Sequence, residues 1–390
     1  MRIIVSTPDV PDPFGPTSAR WYYGLLKELA ERGHRVTCLS FFSKAHEAER
    51  AMSFLGSTGL ELKLYPSIFR DRHSPLRRHG GRLGQFLRNA APGYSRLIPS
   101  GLERDLDRLL CAGYDLIHLE DLWLGYLGTD RDRALLSIHW LASIDLQHPS
   151  PGRRLLARLQ EKGERRVMQR FRAIRVLTGS DGERVKALHP EAEVFVVPFA
   201  IDPSLYEFMP RLPRTRTVGL IGSMYFRPCR LAAIHLIRSV WPRVRRAIPD
   251  AELLIAGWEA RRHLATFLRE PGVTILDDLP HPRRLFEQVQ AFAYPLPFGS
   301  GMKVKVLESM AYGVPVVTTT DGIEGIEVED GIHAFVAADD QVMAERLIEL
   351  LRYPALGEAM GRASRSLIEE RYSPRPVVDR LERVYERIAG

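Results

Sequence analysis

Two lysines and a glutamate stand at helical spacing just past a glycine bend, where Gly299, Ser300, Gly301 and Met302 lead into Lys303, Lys305 and Glu308. Gly299 and Gly301 permit torsions and close approaches that a Cβ would block, and a helix starting after them presents unpaired N–H groups to whatever sits in the bend. An anion suits such a place. The helix dipole alone would favour acidic side chains in the first turn, so Lys303 and Lys305 there argue for an external negative partner. The competing reading is an ordinary i,i+3 pair between Lys305 and Glu308 beside a plain turn. Elsewhere, His118 and His139 each lie toward the C-terminal end of an apolar run, where open parallel sheets receive ligands, with Glu120 and Asp121 close behind the first. A histidine satisfied within the core is the alternative for each.

The elements that must position these groups follow a repeated strand–helix pattern. Residues 2–6 form a short apolar run ended by a proline-rich loop. Thr17 or Ser18 can cap a helix whose Trp21, Tyr22, Leu25, Leu26 and Leu29 share a face and which Gly33 ends. Strands follow at 34–40, 114–120, 134–140 and 194–197. The opening unit lacks Gly-x-Gly-x-x-Gly, which disfavours a dinucleotide dehydrogenase. From Thr217 the pattern restarts, with strands at 217–221, 251–256, 273–276 and 291–294, and a helix from about Pro228. Gly313 ends the helix that carries Glu308, and residues 315–319 read as a buried parallel strand. Strands alternate with helices, as a doubly wound sheet requires, and the proline-rich stretch 198–213 reads as a linker, giving domains 1–203 and 204–372.

A chain of 390 residues suits two such domains, and 45% hydrophobic content is ordinary for a globular protein. No apolar run approaches a membrane span, and the N-terminal run is too short for a signal peptide, so a cytoplasmic protein is expected. Cys38, Cys111 and Cys229 are scattered without metal-ligand spacing, consistent with a reducing compartment. A net charge of +7 favours anionic partners. Nucleic acid is not expected, since there is no zinc-finger spacing or basic-aromatic signature. Arginines gather at 70, 72, 77, 78, 82 and 88 in an aperiodic insertion over 68–101, readable as a surface loop or as an acceptor-binding or membrane-facing flap. The basic amphipathic segment 153–172 allows peripheral contact at the inner face of a membrane.

The run from Lys305 through Gly313 to Val317 resembles the donor-binding signature of the retaining GT-B glycosyltransferases of family 4, glycosyl transferases group 1. The resemblance implies two Rossmann-like doubly wound domains facing across a cleft, with the terminal helix 373–390 crossing back onto the first. It implies transfer of a sugar from a nucleotide-diphosphate donor, as co-substrate, to a glycan, lipid-linked or small-molecule acceptor, with retention, without a cofactor and without a bound metal. Glu308 then binds the ribose hydroxyls and His139 contacts the donor sugar, while Lys303, Lys305, Arg227 and the helix N-terminus are the groups available to the leaving diphosphate, with either lysine able to point inward. Donor-binding positions are Gly15, Gly222, Arg227, Ser300, Gly301, Met302, Lys303, Gly322 and Glu324; His118 and Glu120 fall on the acceptor side. Ser300 stands eight residues before Glu308, where the family usually has a first glutamate. That departure keeps open an inactive GT-B partner of another transferase; a GT-B sugar epimerase is a further reading, which needs a pair of acid/base carboxylates that the sequence does not display.

Overall fold

The computed structural model describes residues 1–56, 58–66, 100–127, 132–145, 151–210, 214–277, 279 and 281–390. The insertion expected over 68–101, with its six arginines, lies almost wholly outside the described residues. The chain separates into two compact units, Met1–Asp202 with Pro374–Gly390, and Pro203–Ser373.

The first unit holds a seven-stranded sheet in the order β3-β2-β1-β4-β5-β6-β7, formed by β1 (Arg2–Thr7), β2 (Arg35–Phe42), β3 (Glu61–Pro66), β4 (Leu116–Glu120), β5 (Ala134–Ile138), β6 (Ala173–Val176) and β7 (Glu193–Val196). Every pairing is parallel. Side chains alternate between the two faces of a strand, so each face has its own chemistry. Ile117, Leu119, Leu136, Ile138, Ile174 and Val176 build a dry apolar face with Leu102, Leu106, Met168 and Phe171 from helices Ser100–Ala112 and Pro151–Met168 and the turn after the latter. The opposite face is different. Glu120 pairs in register with Ser137, and Ser137 with Arg175, so a row of polar groups crosses β4, β5 and β6, with His118 two residues before Glu120. Helix Thr17–Glu31 and the terminal helix Pro374–Ala389 pack together on this unit, the latter against β4 and β5.

The second unit repeats the architecture with six strands in the order β10-β9-β8-β11-β12-β13: β8 (Thr217–Ile221), β9 (Glu252–Ala256), β10 (Val273–Leu276), β11 (Ala291–Tyr294), β12 (Val316–Thr318) and β13 (Phe335–Val336). These pairings too are parallel. Strand order reverses between β1 and β4 in one unit and between β8 and β11 in the other. Outside the carboxyl ends of the strands at such a reversal a doubly wound sheet opens a ligand crevice.

The first helix differs from expectation at its start. Neither Thr17 nor Ser18 caps it; Pro16 occupies the cap position, and the Ser18 hydroxyl donates instead to Asp9 Oδ2 at 2.7 Å. Its end is as expected, with Gly33 at φ +83° just past it. No helix among the described residues is long and apolar enough to cross a membrane.

Candidate active site

The second unit gathers most of the expected residues at the β8/β11 reversal. The loop leaving β11 turns at Gly299 (φ 155°) and Gly301 (φ 72°), torsions open to glycine, and feeds helix Val304–Tyr312, which Gly313 closes in the left-handed conformation. At its start, the N–H groups of Val306 and Leu307 reach the Lys303 carbonyl, which leaves those of Val304 and Lys305 without an acceptor inside the helix. Ser300, Gly301 and Met302 are buried in the bend. Arg227, the first residue of helix Arg227–His235, lays its guanidinium over the Phe298 ring at 5.0 Å, so the segments that follow β8 and β11 meet there. Gly222 is packed too tightly for any side chain: a Cβ there would fall 2.2 Å from Cys229 Sγ.

Glu308 is completely buried, which removes the reading of a solvated surface pair. Its Oε2 accepts from Lys305 Nζ at 2.7 Å, and Tyr206 directs its hydroxyl at Oε1 from 3.4 Å. Lys305 is partly exposed and bridges this hidden carboxylate to the mouth of the bend. Burying a carboxylate is unfavourable unless its charge is compensated, and here an ammonium on the outer side supplies compensation.

Three expected donor-side residues, Lys303, Gly322 and Glu324, have partners within the chain. Lys303 folds its ammonium back onto the carbonyls of Ser300 (3.3 Å) and Gly301 and onto Glu324 Oε2 (3.2 Å), with its side chain 8% exposed. It therefore shapes the bend and ties it to the loop at 321–324. Glu324 is its counter-ion. Gly322 donates its N–H to the Thr319 carbonyl at 2.9 Å, so that group is not held out for a phosphate.

In the first unit, Gly15 lies in the loop after β1, where a Cβ would come within 3.0 Å of Ala19 Cβ, and its N–H donates to the Asp12 carbonyl at 3.2 Å. His139 follows β5 and keeps 8% of its side chain exposed; its Nε2 lies 2.5 Å from Glu120 Oε2. Phe199 packs against the ring at a centroid distance of 4.7 Å. Glu120 and His118, expected on the acceptor side, are entirely enclosed, and no surface of either reaches solvent. Burial works against the charged form of Glu120, yet Arg175, His118 and His139 together hold its carboxyl well below the usual range. His118 is engaged at both ring nitrogens, by Tyr385 and Ser137 at 2.7 Å each, and burial pushes its pKa down to about 4. Glu120 thus holds His139 from behind, and His118 stands on the far side of Glu120. Asp121, directly after Glu120, has φ 150°, a conformation rare outside glycine and the kind of strain that collects at functional sites.

Sequence reasoning missed Arg175, Ser137, Tyr385 and Tyr206. Arg175 had a signal, since an arginine flanked by Ile174 and Val176 in a buried strand demands a partner. Tyr385 had none, because it meets His118 across 267 residues of sequence.

A family model described as Glycosyltransferase Family 4 matches residues 18–205, and one described as Glycosyl transferases group 1 matches residues 215–353. The GDP-mannose-dependent monoacylated alpha-(1-6)-phosphatidylinositol monomannoside mannosyltransferase of Corynebacterium glutamicum is 32% identical over 158 residues, 37% of this chain, and the match spans only 41% of that relative's length. Among solved structures, Anabaena HepE in complex with UDP and glucose aligns with all of both chains at a TM-score of 0.63 and 14% identity. Sucrose-phosphate synthase from Thermosynechococcus elongatus aligns at 0.70 and 14%, covering 100% of this chain and 99% of its own. At such identities the structural likeness shows a common fold.

Proposed function

The chain belongs to the group 1, family 4 glycosyltransferases, and from that premise we propose that it moves a sugar from a nucleoside-diphosphate donor to an acceptor, with retention at the anomeric carbon and without a bound metal. The observation that carries the reading is the buried Glu308 carboxylate with Lys305 upon it, on the helix Val304–Tyr312 that leaves a glycine bend at the strand-order reversal. A carboxylate there accepts from two neighbouring ribose hydroxyls, and the bend and helix tip suit the adjoining diphosphate.

Cleaving the bond at the anomeric carbon builds positive charge on the sugar and negative charge on the departing diphosphate. Lys305, Arg227 and the N–H groups of Val304 and Lys305 are fixed donors suited to take up that negative charge. His139 is the group assigned to the donor sugar, supported by its partial exposure after β5. GDP-mannose heads the donors to test, because the Corynebacterium relative uses it. The acceptor is a glycan, a lipid-linked sugar or a small molecule, and the net charge of +7 suits work beside an anionic membrane surface. An inactive partner protein is the second reading, favoured by Ser300 in place of a glutamate; slow hydrolysis of donor by the purified protein would exclude it.

The test is thermal unfolding with GDP, UDP and ADP, since a ligand at 100 times its Kd stabilises the fold by about 2.7 kcal/mol. Glu308→Ala should then weaken the active nucleotide by about 1.5–3 kcal/mol in calorimetry, the range for a hydrogen bond to a charged group. No response to any nucleotide, or unchanged affinity in the variant, overturns the assignment. Transfer should continue in excess chelator; its loss would remove the metal-free part.

A further inference from the structure

The polar row on the first unit's sheet joins the exposed edge of His139 to a residue near the very end of the chain. Glu120, His118, Ser137 and Arg175 are all fully buried. A buried ionic cluster is seldom more stable than apolar groups of the same volume, so its presence calls for another use. Arg175 is pinned first: its guanidinium donates to the carbonyls of Val197 (3.0 Å) and Pro198 (2.9 Å), to Glu120 Oε1 (2.9 Å) and to Ser137 Oγ (3.2 Å), and it stacks on Trp21 at 4.8 Å. One carboxylate oxygen of Glu120 is thereby fixed in place. The other faces His139.

The direction of each proton follows from which groups can carry one. Burial, with Glu120 nearby, holds the Tyr385 phenol well above its ordinary pKa, so it stays an O–H donor. Its partner at 2.7 Å is His118 Nδ1. The other ring nitrogen, Nε2, lies 2.7 Å from Ser137 Oγ and 3.1 Å from Glu120 Oε1, a carboxylate that can only accept, so the single N–H of His118, kept neutral by burial, is on Nε2 and Nδ1 accepts from Tyr385. Glu120 accepts on that side and, through Oε2, from His139 Nε2. In neutral His139 the proton is then on Nε2, and Nδ1 is left as an acceptor.

We propose that Tyr385 is a positioning residue: through His118 and Glu120 it fixes the tautomer and ring orientation of His139, so that His139 presents Nδ1 as an acceptor to a hydroxyl of the bound sugar. The proton inventory of the row rests on its geometry and burial, whereas its kinetic consequence rests on the transferase reading above. The terminal helix is thus part of the site's support, and donors lacking a hydroxyl at that point lose the contact.

Two arms test this. Long-range proton–nitrogen spectra of the imidazoles should give His139 as the Nε2–H tautomer in the wild-type protein and as a mixture in Tyr385→Phe. In transfer assays Tyr385→Phe should lower kcat about tenfold, as loss of an orienting partner behind a functional imidazole does, with donor KM within about twofold. Val384→Ala, which thins the same helix without touching the row, should leave kcat unchanged. An Nδ1–H tautomer in the wild type, an unaltered His139 in Tyr385→Phe, or an equal kcat loss in Val384→Ala overturns the proposal. If the wild-type protein transfers nothing from any donor, the transferase reading fails and the spectra decide the positioning role by themselves.

Discussion

Lys305 has two claims on its ammonium. It now compensates Glu308, at 2.7 Å, and on donor binding a diphosphate at the bend would compete for it while ribose hydroxyls took its place on the carboxylate. Opposite effects on two ligands should follow from removing the charge. Lys305→Met should leave a nucleoside, which needs only Glu308, bound as well or better, and should weaken the nucleoside diphosphate by about 1.5–3 kcal/mol, the worth of a charge-assisted contact. Calorimetry with both ligands measures the pair, and parallel losses would show that Lys305 only supports Glu308. The spacing of Lys305 and Glu308 was legible in the sequence; what it could not give was depth, since i,i+3 pairs look alike whether solvated or sealed. The same limit hid the difference between Lys303, folded onto its own loop, and Lys305, two residues on.

At the level of elements, sequence punctuation carried far. Gly313 was readable as a helix end because the last turn there needs φ +79°. The strands at 217–221, 252–256 and 273–276 were readable from apolar runs between turns. Two helical irregularities follow from proline chemistry: the helix from Arg227 widens into a π turn at Leu236–Val240 ahead of Pro242, and Leu367 passes through another at Ile368–Tyr372 before Pro374. A proline has no N–H to continue the ladder, so the turn before it loosens. Strand β13, two residues long, left no periodicity to read. Left-handed glycines at helix ends provide the prediction at this scale. At Gly33 an added Cβ would meet nothing within 4 Å, whereas at Gly313 it would lie 2.4 Å from Phe208 Cε2. Gly33→Ala should therefore lose only the torsional preference, about 1–2 kcal/mol, and Gly313→Ala about 3 kcal/mol or more through added overlap. Urea unfolding of the two variants separates them; equal losses would mean that Phe208 yields freely.

For the molecule as a whole, the informative feature is that the first unit is discontinuous and the second is not. The terminal helix buries Val377, Val378, Leu381, Val384 and Tyr385, and its outer charges are anchored as well, with Arg32 meeting Glu382 and, at 2.6 Å, Asp379, and His34 meeting Glu382 at 2.6 Å. At about 1.5–3 kcal/mol for each large apolar side chain, its five buried residues contribute roughly 10 kcal/mol, as much as the whole net stability of a typical domain. Tyr385 adds a second penalty, because its removal leaves His118 Nδ1 buried without a donor. Ending the chain at Ser373 should thus abolish slow hydrogen exchange in β1, β4 and β5, while β8, β9 and β11 keep theirs, since Pro203–Ser373 supplies its own core. Protection in β4 and β5 equal to that of the full chain would mean that the helix covers a surface already stable without it. The expected split in exchange, lost in one sheet and kept in the other, arises from chain order alone: the strands that bear His118 and Glu120 precede Pro203–Ser373, and the helix that covers them follows it.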